Sequence, residues 1–220
     1  MARRRGASTR QGRRSHAERS AATRVQLIEG AIATLRERGF ARATTAAIAA
    51  RACVTTGALH HHFSTKEALL FAVLEQLSNE ISAQLGDPLG LTDDAPDKAA
   101  RAVRRLWSVY GGGRYRAVWE ITIGFSSNAR LRAAMTRQRN LATQALIERT
   151  CRGLDLAQDE RARIAALLRQ TLISIRGLFL DTYLTFDQCH YDEQLAILSR
   201  MVADRLESIF TARRRLARAA

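Results

Sequence analysis

Apolar residues recur at three- and four-residue spacing along most of the chain, and the interruptions between periodic stretches are short. Such spacing marks amphipathic helices, whose faces repeat every 3.6 residues. From about Glu18, Leu27, Ile28, Ala31 and Leu35 form one face. Gly39 then stands where a helix C-cap belongs, and Phe40 is a hydrophobic anchor just past it. Thr44 and Thr45 are good N-cap types for a short Ala-rich helix through Arg51, with Ile48 inward. A break at Cys53-Val54 precedes a third short helix, capped by Thr55 and spanning Thr56 to His62, with Leu59 and Phe63 inward. Ser64-Thr65-Lys66-Glu67 reads as a capping box with Ser64 as the cap, opening a fourth helix that runs to about Leu85 and stops at Gly86.

Residues 86–97 hold Gly90 and both prolines, Pro88 and Pro96, and read as a loop. Amphipathic segments follow at about 98–110, 114–126, 129–152, 158–184 and 192–213. Their breaks fall at Gly111-Gly112-Gly113, at Asn128, at Gly153 and over 188–190. The pattern predicts an all-α chain of about nine helices. Abundant Ala, Leu, Arg and Glu support it, since all four lose little on entering a helix.

Two short helices joined by a tight turn and braced by longer ones form a helix-turn-helix, whose second helix enters the DNA major groove. Charge points the same way. Twelve Arg and Lys66 against Glu18, Glu29, Glu37 and Glu67 give +9 over residues 1–70, of a formal +14 for the chain. A basic end on a more balanced body fits a nucleic-acid footprint, because neutralised phosphates release counterions. Six Arg in the first 14 residues make an arm too polar to fold alone: either a solvated tail or a strap along the DNA backbone. No apolar run approaches the ~20 residues of a membrane span, and none follows the Arg-rich start as a signal peptide would require, so a cytoplasmic protein with no membrane partner is expected. Cys53, Cys151 and Cys189 are too far apart for a disulfide framework or a zinc site, and each is expected to be a buried thiol. His60, His61 and His62 point about 100° apart on a helix and cannot converge on one ion, so no metal is expected.

The run Gly39-Phe40, Thr44-Thr45, Ile48-Ala49, Val54-Thr55-Thr56-Gly57-Ala58-Leu59, His61-His62-Phe63 and Lys66-Glu67-Ala68-Leu69 resembles the signature of TetR-family transcriptional regulators. The resemblance covers roughly residues 20–80; beyond them it is helical character and length only. It implies an N-terminal three-helix reading module and a C-terminal helical domain for dimerisation and ligand binding. The corresponding division is an arm at 1–17, a helix-turn-helix domain at 18–85 with its recognition helix at about 55–62, and an effector and dimerisation domain at 86–220. The implied DNA contacts are Thr44, Thr45, Thr55, Thr56, Gly57, Ala58, His60, His61, His62 and Lys66, with Lys66 on a phosphate at a helix N-terminus. Three positions depart from the pattern. Cys53 replaces the usual turn Gly, where a left-handed non-Gly residue costs ~1 kcal/mol. His60 replaces the usual Tyr, and Ala46-Ala47 stand where polar residues are common.

The last two segments carry broad apolar stripes: Leu168, Leu172 and Ile175 on one, Leu198, Val202, Leu206 and Ile209 on the other. They suit either internal core or a two-fold seam of four helices; the resemblance implies the seam, hence a homodimer. Aromatics are scarce but gather in the middle. Trp107, Tyr110, Tyr115, Trp119, Phe125, Phe179 and Tyr183 are candidate pocket residues, with Arg116, Glu120, Arg176 and Asp181 as candidate polar partners. The reading is a ligand-responsive repressor released from a palindromic double-stranded DNA operator by a small-molecule effector. The alternatives are an architectural or constitutive DNA-binding protein and a TetR-type activator. An enzyme is not expected, for no paired carboxylates, Gly-rich phosphate loop or metal set is evident, and no cofactor is implied.

Overall fold

A computed structural model of the chain describes residues 16–87, 89, 91, 97–184 and 188–219. The Arg-rich arm through residue 15 and both prolines lie outside the described residues, as do the side chains of the basic tail after Thr211. Nine helices are present among the described residues: α1 (His16–Arg42), α2 (Thr45–Arg51), α3 (Thr56–His62), α4 (Lys66–Leu85), α5 (Lys98–Tyr110), α6 (Tyr115–Gly124), α7 (Ala129–Thr150), α8 (Gln158–Asp181) and α9 (Gln188–Ala219). The fold is all-helical with an N-terminal helix-turn-helix, in agreement with the periodicity. The ninth helix starts at Gln188, several residues before the position the sequence suggests, so the break predicted over 188–190 is a first helical turn.

The first helices owe their ends to local chemistry. Gly39 has φ 74° and ψ 172°, a conformation essentially closed to residues with a Cβ, and it breaks α1 before Phe40. The hydroxyls of Thr44, Thr55 and Thr65 accept from the backbone N–H three residues on, at 3.2, 3.1 and 3.1 Å. The third of these corrects the sequence reading. Thr65, extended at φ −140° and ψ 161°, caps α4, and Ser64 lies one residue outside. Cys53 is the single non-glycine residue with positive φ (56°) among the described residues, at the turn between α2 and α3. Its thiol is exposed, as is that of Cys189; of the three cysteines expected to be buried, Cys151 is.

Two apolar cores form. The first joins α1 to α4 and is closed by Ala117, Ile121 and Phe125 from the α6 region. The second joins the C-terminal end of α4 to α5, α7, α8 and α9. The stripes read as a dimer seam belong to this second core. Leu168, Leu172, Ile175, Leu198, Val202, Leu206 and Ile209 are all buried within their own chain. The reason is α5: it packs against both α8 and α9, and its Val103 and Leu106 share one core with these residues. The apolar residues exposed on and just after α8 and on α9 are others, notably Ile173, Leu184, Ile197 and Met201.

Candidate nucleic-acid interface and the cavity behind it

Helix α3 turns Leu59 into the core, with Phe63 buried just beyond it, and leaves Thr55, Thr56, Gly57, His60 and His61 exposed on one side. Ala58 and His62 are half-buried at the edge of that face, and so is Thr45 on α2, while Thr44 is exposed. Gly57 has open space around it beyond the Thr55 hydroxyl, so the backbone at the start of α3 can approach another surface closely. The hydroxyls of Thr44 and Thr55 are engaged as caps but keep a donor each. Arg51 pairs with Glu37 at 2.5 Å, and the Arg24 guanidinium lies 4.6 Å over the Phe63 ring. The face combines small residues, hydroxyls and imidazoles with no exposed carboxylate on α3 itself.

Lys66 is held from within. Its ammonium donates to the Phe40 carbonyl at 3.3 Å and sits 4.5 Å over the Phe40 ring, and burial pushes its pKa down. One of three N–H donors is thereby used, leaving two for a partner. Phe40 is in turn fixed from the other side. Its N–H donates to Glu120 Oε2 at 2.9 Å, and its ring meets Phe125 edge-on at 5.6 Å and lies flat against Gly124. A second bridge lies nearby: Arg114 makes two bonds to Glu29, at 2.8 and 2.9 Å, and two to Glu80, at 3.0 and 2.9 Å. These bonds tie α1 and α4 to the start of α6 and depress the Glu29 carboxyl below its ordinary range, chiefly through the Arg114 hydrogen bond.

The opposite face of α6 lines a cavity of about 390 Å³ between α4, α6, α7 and α8. Of the predicted pocket residues, Tyr110, Tyr115, Trp119 and Arg176 are on its wall. The others are placed elsewhere. Trp107 stacks on Tyr191 at 5.9 Å, and Phe125 fills the first core. Phe179 packs edge-on against Tyr115 behind the wall, and Tyr183 is exposed beneath the Arg116 guanidinium. Glu120 serves Phe40, and Asp181 pairs with His190 at 3.3 Å. The sequence reading missed the contribution of α7, whose Arg132, Thr136, Arg139 and Thr143 line the cavity. Their three- and four-residue spacing was a polar stripe on a helix with no clear apolar face, a signal that aromatic counting passes over. Tyr115 is buried, and this pushes its phenol up to about 12 against the pull of Arg176, so it stays a hydroxyl.

Residues 27–73 match the family described as bacterial regulatory proteins, tetR family. Over these residues the chain carries that family's helix-turn-helix. The HTH-type transcriptional regulator CymR of Pseudomonas putida is 43% identical over 70 residues, covering 32% of this chain and 34% of CymR. The chain thus spans about a third of the length of that curated relative. Solved structures share the whole fold. A putative TetR-family regulator from Mesorhizobium loti aligns at 18% identity with a TM-score of 0.63, over 88% of this chain and 98% of that one. The multidrug binding protein EbrR, complexed with imidazole, aligns at 22% identity with a TM-score of 0.60, over 86% and 95%. Among the described residues no helix is long and apolar enough to cross a membrane.

Proposed function

We propose that the protein is a homodimeric, ligand-responsive repressor that holds a palindromic operator through α3 and releases it when a small molecule enters the cavity behind α6. The observation that carries the reading is the position of α6. One face lines the cavity through Tyr115 and Trp119, and the other is bonded to the reading head at Phe40 through Glu120. A ligand that fits one placement of α6 better than another therefore biases where α1 and α3 sit, which is what a change in operator affinity requires. The solved relative EbrR, a multidrug binding protein holding imidazole, supports a small-molecule role for this architecture.

Thr56, Gly57, Ala58, His60 and His61 supply the base-facing contacts, His62 flanks them, and Thr44, Thr45, Thr55 and Lys66 take the backbone. The homodimer forms through the exposed apolar residues Ile173 of α8, Leu184 just past its end, and Ile197 and Met201 of α9, in place of the stripes buried inside the chain. Binding DNA implies a cytoplasmic location. Selection from random duplexes, followed by titration of the enriched sequence, tests the reading. A two-fold symmetric sequence should emerge, and Thr56→Ala should weaken its binding by about 1–3 kcal/mol while leaving binding to random DNA nearly unchanged. Enrichment of no sequence over random DNA would leave an architectural DNA-binding protein instead.

A further inference from the structure

The cavity wall is apolar and aromatic in its depth, with Tyr110, Tyr115, Val118 and Trp119 on one side, yet it carries Arg132, Arg139 and Arg176 and no Asp or Glu. A groove of about 830 Å³ adjoins it between α7 and α8, sharing Arg139 and Arg176 and adding Arg137 and Arg169, again with no carboxylate. Five guanidinium groups around two adjoining spaces make a field that repels cations and draws anions. Arg132, Arg137 and Arg139 are exposed, at the mouth, whereas Arg176 is withdrawn from solvent beneath the Tyr110 ring, 5.4 Å from its centre. Two buried donors on the wall, Arg176 Nε and Trp119 Nε1, have no hydrogen-bond partner. A buried donor without a partner costs about 1–3 kcal/mol, and more for a charged group, so each is a place where an acceptor lowers the energy.

Resting on the ligand-sensing reading above, we propose that the effector is an apolar aromatic carboxylate, with its ring among Tyr110, Tyr115 and Trp119 and its carboxylate held by Arg176 and Arg139. A planar guanidinium matches a carboxylate with two parallel N–H bonds, and the Tyr115 hydroxyl is a further donor. One withdrawn cation balances one negative charge; a doubly charged phosphate would bring excess charge into an apolar space. The cavity volume falls within the range of small-molecule sites and suits a fused-ring body.

The test uses the full chain and three probes of one shape: 2-naphthoate, 2-naphthamide and 2-naphthylmethylammonium, followed by tryptophan fluorescence and by thermal melting. Naphthoate should bind at least about ten-fold more tightly than the amide, the effect of one charge-assisted hydrogen bond, and the ammonium should bind more weakly than both. Arg176→Gln should bring naphthoate down to the level of naphthamide. Arg139→Gln, exposed at the mouth and harmless to folding, should weaken naphthoate several-fold and leave naphthamide unchanged; it decides the matter if Arg176→Gln fails to fold. Amide or ammonium binding as tight as the carboxylate would overturn the charge assignment and leave ligand sensing standing. If no probe changes fluorescence or melting, the proposal and the sensing cavity fall together.

Discussion

The two faces of α6 meet regions built in different ways. Toward α1 the packing is closed to the scale of a methyl group: a Cβ added at Gly124 would come within 2.2 Å of the Phe40 ring. There Glu120 accepts from the Phe40 N–H and Lys66 donates to its carbonyl. Toward α7 and α8 the packing is open, and buried donors of Trp119 and Arg176 stand unpaired beside empty space. The helix-turn-helix side is made tight. The body keeps a void, and the energy it gives up in its core is available to whatever fills it.

The largest expected effect separates the core of the body from its surface. Leu206 is 3% exposed, and Leu206→Glu places a charge in a closed apolar core at a cost of several kcal/mol, about the stability of a whole domain. Loss of helical circular dichroism or of soluble protein is expected. Ile173 and Met201 are 61% and 53% exposed, so Ile173→Glu combined with Met201→Glu should keep the helix content and melt as a folded monomer in sedimentation. A folded monomer from Leu206→Glu, or an unchanged dimer from the surface pair, would break the distinction between inner and outer stripes.

Next is the tight face of α6. Gly124→Ala forces the Phe40 ring out of its place, a strain expected to cost about 1–3 kcal/mol in denaturant titration. The double variant with Phe40→Ala should recover part of that loss, giving a clear coupling energy in the mutant cycle. Additive losses would mean that the head and α6 are less closely joined than their geometry indicates.

The same contrast explains what the sequence discloses. In the head, caps are written as residue types: threonines precede α2, α3 and α4, and each forms the bond its position requires, Thr65 and not Ser64 serving α4. In the body, α5 and α6 start at Asp97 and Arg114 without a side-chain cap bond, so their ends depend on packing partners far along the chain. Periodicity finds a stripe but not its partner. Leu198 and Val202 look the same whether α5 or a second chain covers them, and only the placement of α5 decides. For the same reason Phe125 and Trp107 were indistinguishable from Trp119 as aromatics of the middle segment, although only Trp119 reaches the cavity.

A smaller effect probes strain in the head. Cys53, at φ 56°, holds the turn between α2 and α3 in a region that disfavours residues with a Cβ. Cys53→Gly removes the steric cost but adds freedom to the unfolded chain, so a net gain of up to about 1 kcal/mol is expected, read as a higher melting temperature. Cys53→Ala, which keeps the Cβ, should leave stability nearly unchanged; an equal gain from both would assign the effect to the thiol rather than to the backbone.

The smallest effect concerns the charged tie between the regions and is best seen as a pH dependence. Glu29 is held below its ordinary value of 4.5, first by the Arg114 hydrogen bond, with burial opposing. A carboxyl depressed in the folded state contributes its full stabilisation above the unfolded pKa and loses it as pH falls through the lower folded pKa. Arg114 and Glu29 are each 42% exposed, so solvent screens the pair and its worth is below about 1 kcal/mol. Arg114→Met should therefore melt slightly below the parent at neutral pH, and the gap should close as pH drops from about 4.5 through the acid limb. Glu80, which also accepts from Arg114, is replaced by Gln as the control: the Glu29 bonds persist in Glu80→Gln, so most of the acid-limb difference should remain. A gap that stays constant across the acid range would mean that Arg114 supports α6 through its packing and not through Glu29.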